Sequence, residues 1–510
     1  MPEPLRFVEP DAIIVGYDFS TGGVKALAFD LSGHTVAEVR LPTDLWTDGG
    51  VSELNLMQLE GQVRASTRLI SQALAEQGVL KQWQAAGISA THHTSGRIDA
   101  SGNQVRRAIC WNDQTLASFQ EAGLARLGGQ ERAQELTGGP WAVRYSLSHL
   151  VKDERTLPET DWKRTAWILP HGPLAAGYLT GRFDCLSISS AASTGLLDLR
   201  TNRWRREMLD SLANAHYREL AWNSLPQLIA MDEPVGPVAD QVALDAKLPP
   251  HVRPLVFPTL DDQAAGLIGG GAVDAGQVAV ILGNSAVVNS SSRELPRAGN
   301  LDAMKLNWGP YLWMRCYSNG AQFLDRIAGT KPDWPALESS ARALPPLCHG
   351  TAILPFVLAE PSIGITIPGL KWFPAPPHEI GLAIRASFEA IAYLIALGVR
   401  EHEAAGQLIS RVTVSGGIAR SDLMCEILAS VLNKPVDRLV SSEGPALGAA
   451  VVALAGLESY RRSQNGVDTP YTAADAVAAL VNFRNRVPPC STWIESYQRG
   501  LAEFEARLKV

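Results

Sequence analysis

The 510-residue sequence contains no Cys-x-x-C pair. Its six cysteines, Cys110, Cys185, Cys316, Cys348, Cys425 and Cys490, are scattered, which argues against a disulfide framework and a zinc site and leaves buried free thiols as the expectation. No long run of one charge sign occurs either. Forty-five basic against fifty-two acidic residues give a formal charge of −7, so electrostatic capture of nucleic acid or an anionic membrane is not expected. Met1 to Pro10 holds two acids and no apolar core of a leader, and no stretch is expected to reach the ~20 apolar residues of a membrane helix. These absences describe a soluble, cytoplasmic protein. What is present is a foldable globular composition, 46% hydrophobic and 19% charged with 44 Gly and 32 Pro, in a chain too long for one core. Two large domains or three smaller ones are expected.

The first patterned segment, Ile13 to Asp18, reads as a strand that stops at Phe19-Ser20-Thr21-Gly22-Gly23, and Val24 to Asp30 resumes strand character. After a turn at Leu31 to His34, Thr35 to Leu41 gives a third strand, so the N-terminus is an antiparallel meander. Leu56 to about Gln77 is helical. A second hairpin lies near residue 280, with Val278 to Leu282, the turn Gly283-Asn284-Ser285, and Ala286 to Asn289. Both hairpins turn through small residues that let a phosphate approach backbone N–H groups. They are either an internal duplication or two ordinary hairpins. Farther on come a helix from about Ile384 to Glu403, the strand Arg411 to Val414, the turn Ser415-Gly416-Gly417 and a helix from Ser421 to Leu432. Strand, glycine turn and helix together set backbone donors against a ligand. Ser442-Glu443-Gly444-Pro445 opens another helix. The Pro-rich, aperiodic stretch from Leu225 to Pro258 places the domain boundary near residue 250, giving domains 11–250 and 251–510.

Four elements need one explanation: the hydroxyl-rich turn after Asp18, the turn at Gly283, the glycine turn at Gly416-Gly417, and the acidic pair Asp261-Asp262. Each alone has an ordinary reading as a cap or tight turn; their order along the chain is the informative feature.

That order resembles the FGGY family of carbohydrate kinases, in its xylulose-kinase-like branch, from about residue 13 to 456. Asp18 to Lys25 resembles the first phosphate loop and Trp111-Asn112-Asp113-Gln114 the sugar-site segment. Asp262-Gln263-Ala264-Ala265-Gly266 is similar to the segment carrying the catalytic base, Leu282 to Ser285 to the second phosphate loop, and Ser415 to Ser421 to the adenosine site. The resemblance implies an α/β fold of two ribonuclease-H-like domains of the actin and hexokinase type, with mixed five-stranded sheets flanked by helices and a cleft between them. It implies transfer of the γ-phosphoryl group of ATP, with Mg²⁺, to a hydroxyl of a pentulose or related ketose. Small-molecule sugar and ATP are then the partners, with no nucleic acid or membrane, and a homodimer is allowed.

The implied roles are specific. Asp262 takes the proton of the attacking hydroxyl, with Asp261 its rival by adjacency and a helix cap its ordinary alternative. Asp18 holds Mg²⁺ through water, or caps its turn. Ser20, Thr21 and Gly22 meet phosphate, and Lys25 adds positive charge unless it is a solvated strand residue. His93, Asp113 and Gln263 suit polyol hydroxyls and Trp111 an apolar sugar face, although His93 and Trp111 also read as core. Gly283 and Asn284 meet phosphate; Gly416, Gly417 and Ser421 meet adenosine. Several positions depart from the family pattern: Ser20 stands for Gly, Gly22 for a hydroxyl residue, Asn284 for Thr, Thr115 for Arg, and Thr91-His92-His93 for Gln-Met-His. They motivate a second reading, a regulator that binds sugar or nucleotide without turnover, and a third, a sugar-independent ATPase.

Overall fold

The computed structural model describes residues 3–297 and 301–509. The chain divides into two compact units, one made of Met1–Gly269, Asp302–Leu312 and Pro445–Val481, the other of Gly270–Leu301, Trp313–Gly444 and Asn482–Val510.

In the first unit, β1 (Ile13–Phe19), β2 (Gly23–Phe29) and β3 (Thr35–Pro42) form the expected antiparallel meander. β4 (Trp83–Ala90) adds to β1 in parallel, and the short strands β5 (Leu255–Val256) and β6 (Leu260–Asp261) both pair with β4 in parallel. Side chains alternate across a strand. Ile13, Val15, Tyr17 and Phe19 of β1 therefore share one face, where they join Leu59, Val63, Ile70 and Leu74 of helix α1 (Leu56–Glu76) in one core. Asn55 starts that helix by accepting from the Met57 amide at 3.0 Å. Gly16 and Asp18 take the opposite face. A Cβ on Gly16 would lie 1.8 Å from the Ala446 carbonyl oxygen, and one on Gly87 of β4 would lie 1.9 Å from that of Ala449. The small-residue helix Gly444–Gln464 thus rests directly on the sheet backbone.

The sequence reading divides the domains near 250, inside Leu225 to Pro258. That stretch lies in the first unit, which continues through Gly269 and regains the chain at Pro445. The strands responsible, β5 and β6, are two residues long, too short to leave a hydropathy period.

The second unit repeats the plan. β7 (Gln277–Leu282) and β8 (Ala286–Ser292) form an antiparallel hairpin, β10 (Arg411–Ser415) joins β7 in parallel, and β11 (Val436–Leu439) joins β10 in parallel. β9 (Tyr311–Tyr317), in this unit from Trp313 onward, lies beside β8. The orders β3-β2-β1-β4-β5 and β9-β8-β7-β10-β11 correspond strand for strand, which favours the duplication reading of the two hairpins. Each five-strand core carries a further antiparallel edge strand, Gly236–Pro237 on β5 and β12 (Phe483–Val487) on β11.

Two sequence expectations need correction. Helix Ile380–Ala404 is long and apolar enough to cross a membrane, contrary to the reading that no stretch approaches that length, but 83% of its apolar window is buried and it forms the centre of the second unit's core. Four of the six cysteines are buried, as expected, whereas Cys316 and Cys490 are half-buried.

Candidate active site

In the first unit three parallel strands end side by side, at Asp18-Phe19, at Ala90 and at Asp261. In open α/β sheets ligands bind beyond the carboxyl ends of such strands. The β1–β4 register pairs Gly16 with Gly87 and Asp18 with Ser89, and the Ser89 hydroxyl donates to Asp18 Oδ1 at 3.0 Å. Asp18 is buried. Across the hairpin it stands opposite Lys25, so these two side chains share a face of the sheet. The hairpin closes through Ser20: its amide and its hydroxyl both donate to the Gly23 carbonyl, at 2.9 and 2.8 Å. Neither Ser20 nor Thr21 has a positive φ, so serine at the family's glycine position costs no backbone strain and gains a turn-closing bond.

The two adjacent acids do different jobs. Asp261 is the helix cap. Its Oδ1 accepts from the amides of Gln263 at 3.1 Å and Ala264 at 2.9 Å, and its Oδ2 accepts from the Ser189 hydroxyl at 2.7 Å. Asp262, the first residue of helix α2 (Asp262–Gly269), accepts from the His92 amide at 3.3 Å and stays half-buried. Burial, with the negative charges of Asp261 and then Asp18 beside it, pushes the Asp262 carboxyl up to about 8. A carboxylate so raised is a stronger proton acceptor than an ordinary one. Gln263 is half-buried in the same helical turn.

Beyond β4 the chain turns through Thr91-His92-His93, and His93 sits at φ 57°, a left-handed conformation that costs about 1–3 kcal/mol in a non-glycine residue and clusters at functional sites. Its ring stacks on His92, with centroids 3.4 Å apart, and on Tyr145 at 4.5 Å. His93 Nδ1 donates to the Ser193 carbonyl at 3.0 Å. In the neutral ring Nε2 is then an acceptor, and it has no partner in the structure. Burial holds His92 down to about 4 and His93 well below the usual imidazole range, with Arg144 adding to both; Arg144 itself pairs with Asp302.

The Asp113 carboxylate is buried and engaged, accepting from Lys152 Nζ at 2.9 Å and from the amide and hydroxyl of Thr115. The Thr115 hydroxyl also accepts from Lys152 at 2.9 Å, so a lysine 37 residues away supplies positive charge where the family pattern has arginine. Trp111 is 45% exposed and belongs to no core.

The second unit brings two predicted nucleotide segments together. Gly416, at φ 96°, has its Cα so close to the end of β7 that a Cβ would lie 2.3 Å from the Leu282 oxygen; Gly283 follows directly. The carbonyls of Gly283 and Asn284 accept from Ala321 at 2.8 Å and Gly320 at 3.0 Å, at the start of helix Ala321–Ala328. Asn284 is exposed, and nothing lies within 4 Å of a Cβ on Gly417. Ser421 caps helix Asp422–Leu432, accepting from the Met424 amide at 3.1 Å.

Sequence reasoning missed Ser89, His92, Tyr145, Arg144 and Lys152. A signal existed for Ser89, since Gly16-Tyr17-Asp18 and Gly87-Ile88-Ser89 repeat one Gly-x-polar spacing. His92 was visible only as a departure from a pattern, and Lys152 has no local signal.

Residues 13–269 match the FGGY family of carbohydrate kinases, N-terminal domain, and residues 357–457 match its C-terminal domain. The xylulose kinase of Escherichia coli (strain K12) is 28% identical over 459 residues, which is 86% of this chain and 89% of that one. That of Haemophilus influenzae is 26% identical over 380 residues, 72% of this chain and 74% of its own. The crystal structure of xylulose kinase from Rhodospirillum rubrum has a TM-score of 0.81 at 21% identity, covering 97% of this chain and 98% of that one. Gluconate kinase from Lactobacillus acidophilus has the same TM-score at 17% identity, covering 97% and 96%. These likenesses establish the α/β two-domain fold, and with matched segments carrying Asp18, Asp262 and Gly416, the chain belongs to the FGGY family of carbohydrate kinases and is a sugar phosphotransferase.

Proposed function

We propose that the protein transfers the γ-phosphoryl group of ATP to a hydroxyl of a pentulose such as xylulose or ribulose. The observation that carries this reading is the division of labour between adjacent acids: Asp261 is spent on capping α2, which leaves the Asp262 carboxyl, raised to about 8, for chemistry. In the reaction Asp262 accepts the proton of the sugar hydroxyl as its oxygen bonds to the γ-phosphorus. The bond from that phosphorus to the β-phosphate oxygen breaks, and ADP leaves with the electron pair. Mg²⁺ fits Asp18, because that ion keeps most of its water and takes one or two carboxylates; it would neutralise charge on the phosphates. Ser20, Thr21, Gly22 and Lys25, with Gly283 and Asn284, serve the phosphates. Gly416 and Gly417 leave room for adenosine, and Ser421 fixes the helix behind them. His93 and Gln263 hold the sugar; Asp113 fixes its segment through Lys152, with Trp111 at the exposed edge. The pentulose is supported by the xylulose kinases among the relatives, and use of ATP suits a cytoplasmic enzyme. The loop departures do not favour a regulator, since Ser20 closes its turn without strain and both key acids are present. A screen of pentuloses, hexuloses, tetritols and aldoses by coupled ADP release, with the phosphorylated product identified by mass spectrometry, tests the reading. A pentulose 5-phosphate or 1-phosphate is expected; turnover confined to another class would replace it.

A further inference from the structure

The second unit holds a cavity of about 340 Å³ that the phosphoryl-transfer chemistry does not use. All of its lining residues fall in Trp313–Gly444 and Asn482–Val510, and none of the phosphate, adenosine or sugar positions assigned above is among them. One wall is the turn from Pro345 to Ala352; the others come from Glu389 and Tyr393 of helix Ile380–Ala404 and from the last helix, Ile494–Leu508. The turn is strained. Leu347, Cys348 and His349 take φ of 66°, 48° and 54° in succession, a conformation that costs about 1–3 kcal/mol in a non-glycine residue and persists only where its surroundings impose it. Glu389 imposes it here, accepting from the Leu347 amide at 3.1 Å and from the Cys348 thiol at 3.7 Å. The bend sets the exposed His349 and the half-buried Thr351 on the cavity wall.

The charges of the lining narrow its ligand. Arg499, Glu503 and Arg507 recur every four residues along the last helix, so they share a face, and all three line the cavity. Glu503 pairs with Arg507 at 3.2 Å, and Glu389 with the fully buried Arg385 at 3.3 Å. Both acids of the lining are thus matched by an arginine, and Arg499 is left without an ion pair among the described residues. The excess is positive and calls for an anionic group. A phosphate, with three acceptor oxygens and a charge of about −1.5 to −2, can meet a guanidinium and an imidazole at once, which two carboxylate oxygens do less fully. The rest of the lining is mixed: Thr351 is polar, Pro345, Pro346 and Leu347 are apolar, and the buried Tyr393 hydroxyl has no hydrogen-bond partner. That hydroxyl lies against Gly500, also in the lining, where a Cβ would come within 2.2 Å of it. The volume is at the low end of small-molecule pockets, about 300–1,000 Å³, and suits a phosphorylated monosaccharide better than a nucleotide.

We propose that this cavity is a second ligand site that takes a small sugar phosphate, with the phosphate on Arg499 and His349 and the sugar against Thr351, Tyr393 and the proline side. The inference goes beyond the proposed reaction and holds or fails independently of it.

Isothermal titration calorimetry of the full-length protein with D-ribose 5-phosphate, D-ribose, D-gluconate and inorganic phosphate tests it, beside the variants Arg499→Gln and His349→Gly. Arg499 and His349 are both exposed, so neither substitution disturbs the core. D-ribose 5-phosphate is expected to bind most tightly of the four. Arg499→Gln should weaken it about tenfold or more, the scale of a lost charge-assisted hydrogen bond, while ketose turnover stays within about twofold of the unaltered protein. His349→Gly should weaken binding about threefold or more and yet raise the melting temperature by a few degrees, because glycine relieves the left-handed strain. Undiminished binding in either variant, any of the other three probes binding as tightly as D-ribose 5-phosphate, or no heat from that probe at millimolar concentration overturns the proposal. Binding is read without turnover, so failure of the kinase reading would leave this result standing.

Discussion

Asp261 and Asp262 show how neighbouring identical residues acquire opposite roles. The first lies at the end of β6 and turns Oδ1 onto the amides of α2; the second, one residue on, accepts from the His92 amide and is half-buried. The contrast is measurable. The ordinary aspartate value is 3.8 and the folded value of Asp262 about 8, so between these values the folded protein holds a proton that the unfolded chain has lost. Stability therefore falls as pH rises through that window, and the deficit is complete above about 8. Asp262→Asn removes this penalty: its melting temperature should equal that of the unaltered protein near pH 4 and exceed it by a few degrees at pH 8.5. Asp261→Ala should instead lose about 1–2 kcal/mol of stability, because a helix cap and a buried partner of Ser189 go with it. Scanning calorimetry across pH checks both, and a destabilised Asp262→Asn at pH 8.5 would contradict the assignment. The order of the motifs pointed to this acid pair, but which acid capped the helix was not legible, since the answer depends on Ser189 and His92, far away in sequence.

At the scale of elements, glycines set how closely backbones approach, and the sequence shows them without showing what they touch. Gly416 and Gly417 are adjacent and look alike in the motif. Only Gly416 combines a left-handed φ of 96° with a Cβ position 2.3 Å from the Leu282 oxygen; Gly417 is right-handed and open. Gly416→Ala must push β10 away from the end of β7, next to Gly283, and should raise KM for ATP tenfold or more. Gly417→Ala is expected to leave the melting temperature within about one degree. Equal effects of the two substitutions on stability would contradict the packing. The long elements, α1 and both hairpins, were legible because their apolar periods run for several residues. β5 and β6 were not, and they carry the chain past the expected boundary near 250 within the first unit's sheet, taking Asp262 with them.

For the whole molecule, a repeated strand plan places similar hairpin turns in both units, and sequence divergence decides what each does: acids and imidazoles in the first, glycine turns in the second. The family and the α/β fold were legible because the hairpin turns and glycine turns keep their order along the chain. The ring stack of His92, His93 and Tyr145 was not, because no single motif spans it. The central claim is that Asp262 accepts the proton of a sugar hydroxyl during phosphoryl transfer. Ketose-dependent release of ADP by Asp262→Asn, measured beside nucleotide affinity, tests it most directly. The account predicts turnover reduced about a thousandfold or more, on the scale of general-base catalysis, with ATP affinity within about twofold of the unaltered protein; ketose-dependent turnover within tenfold of normal would contradict it.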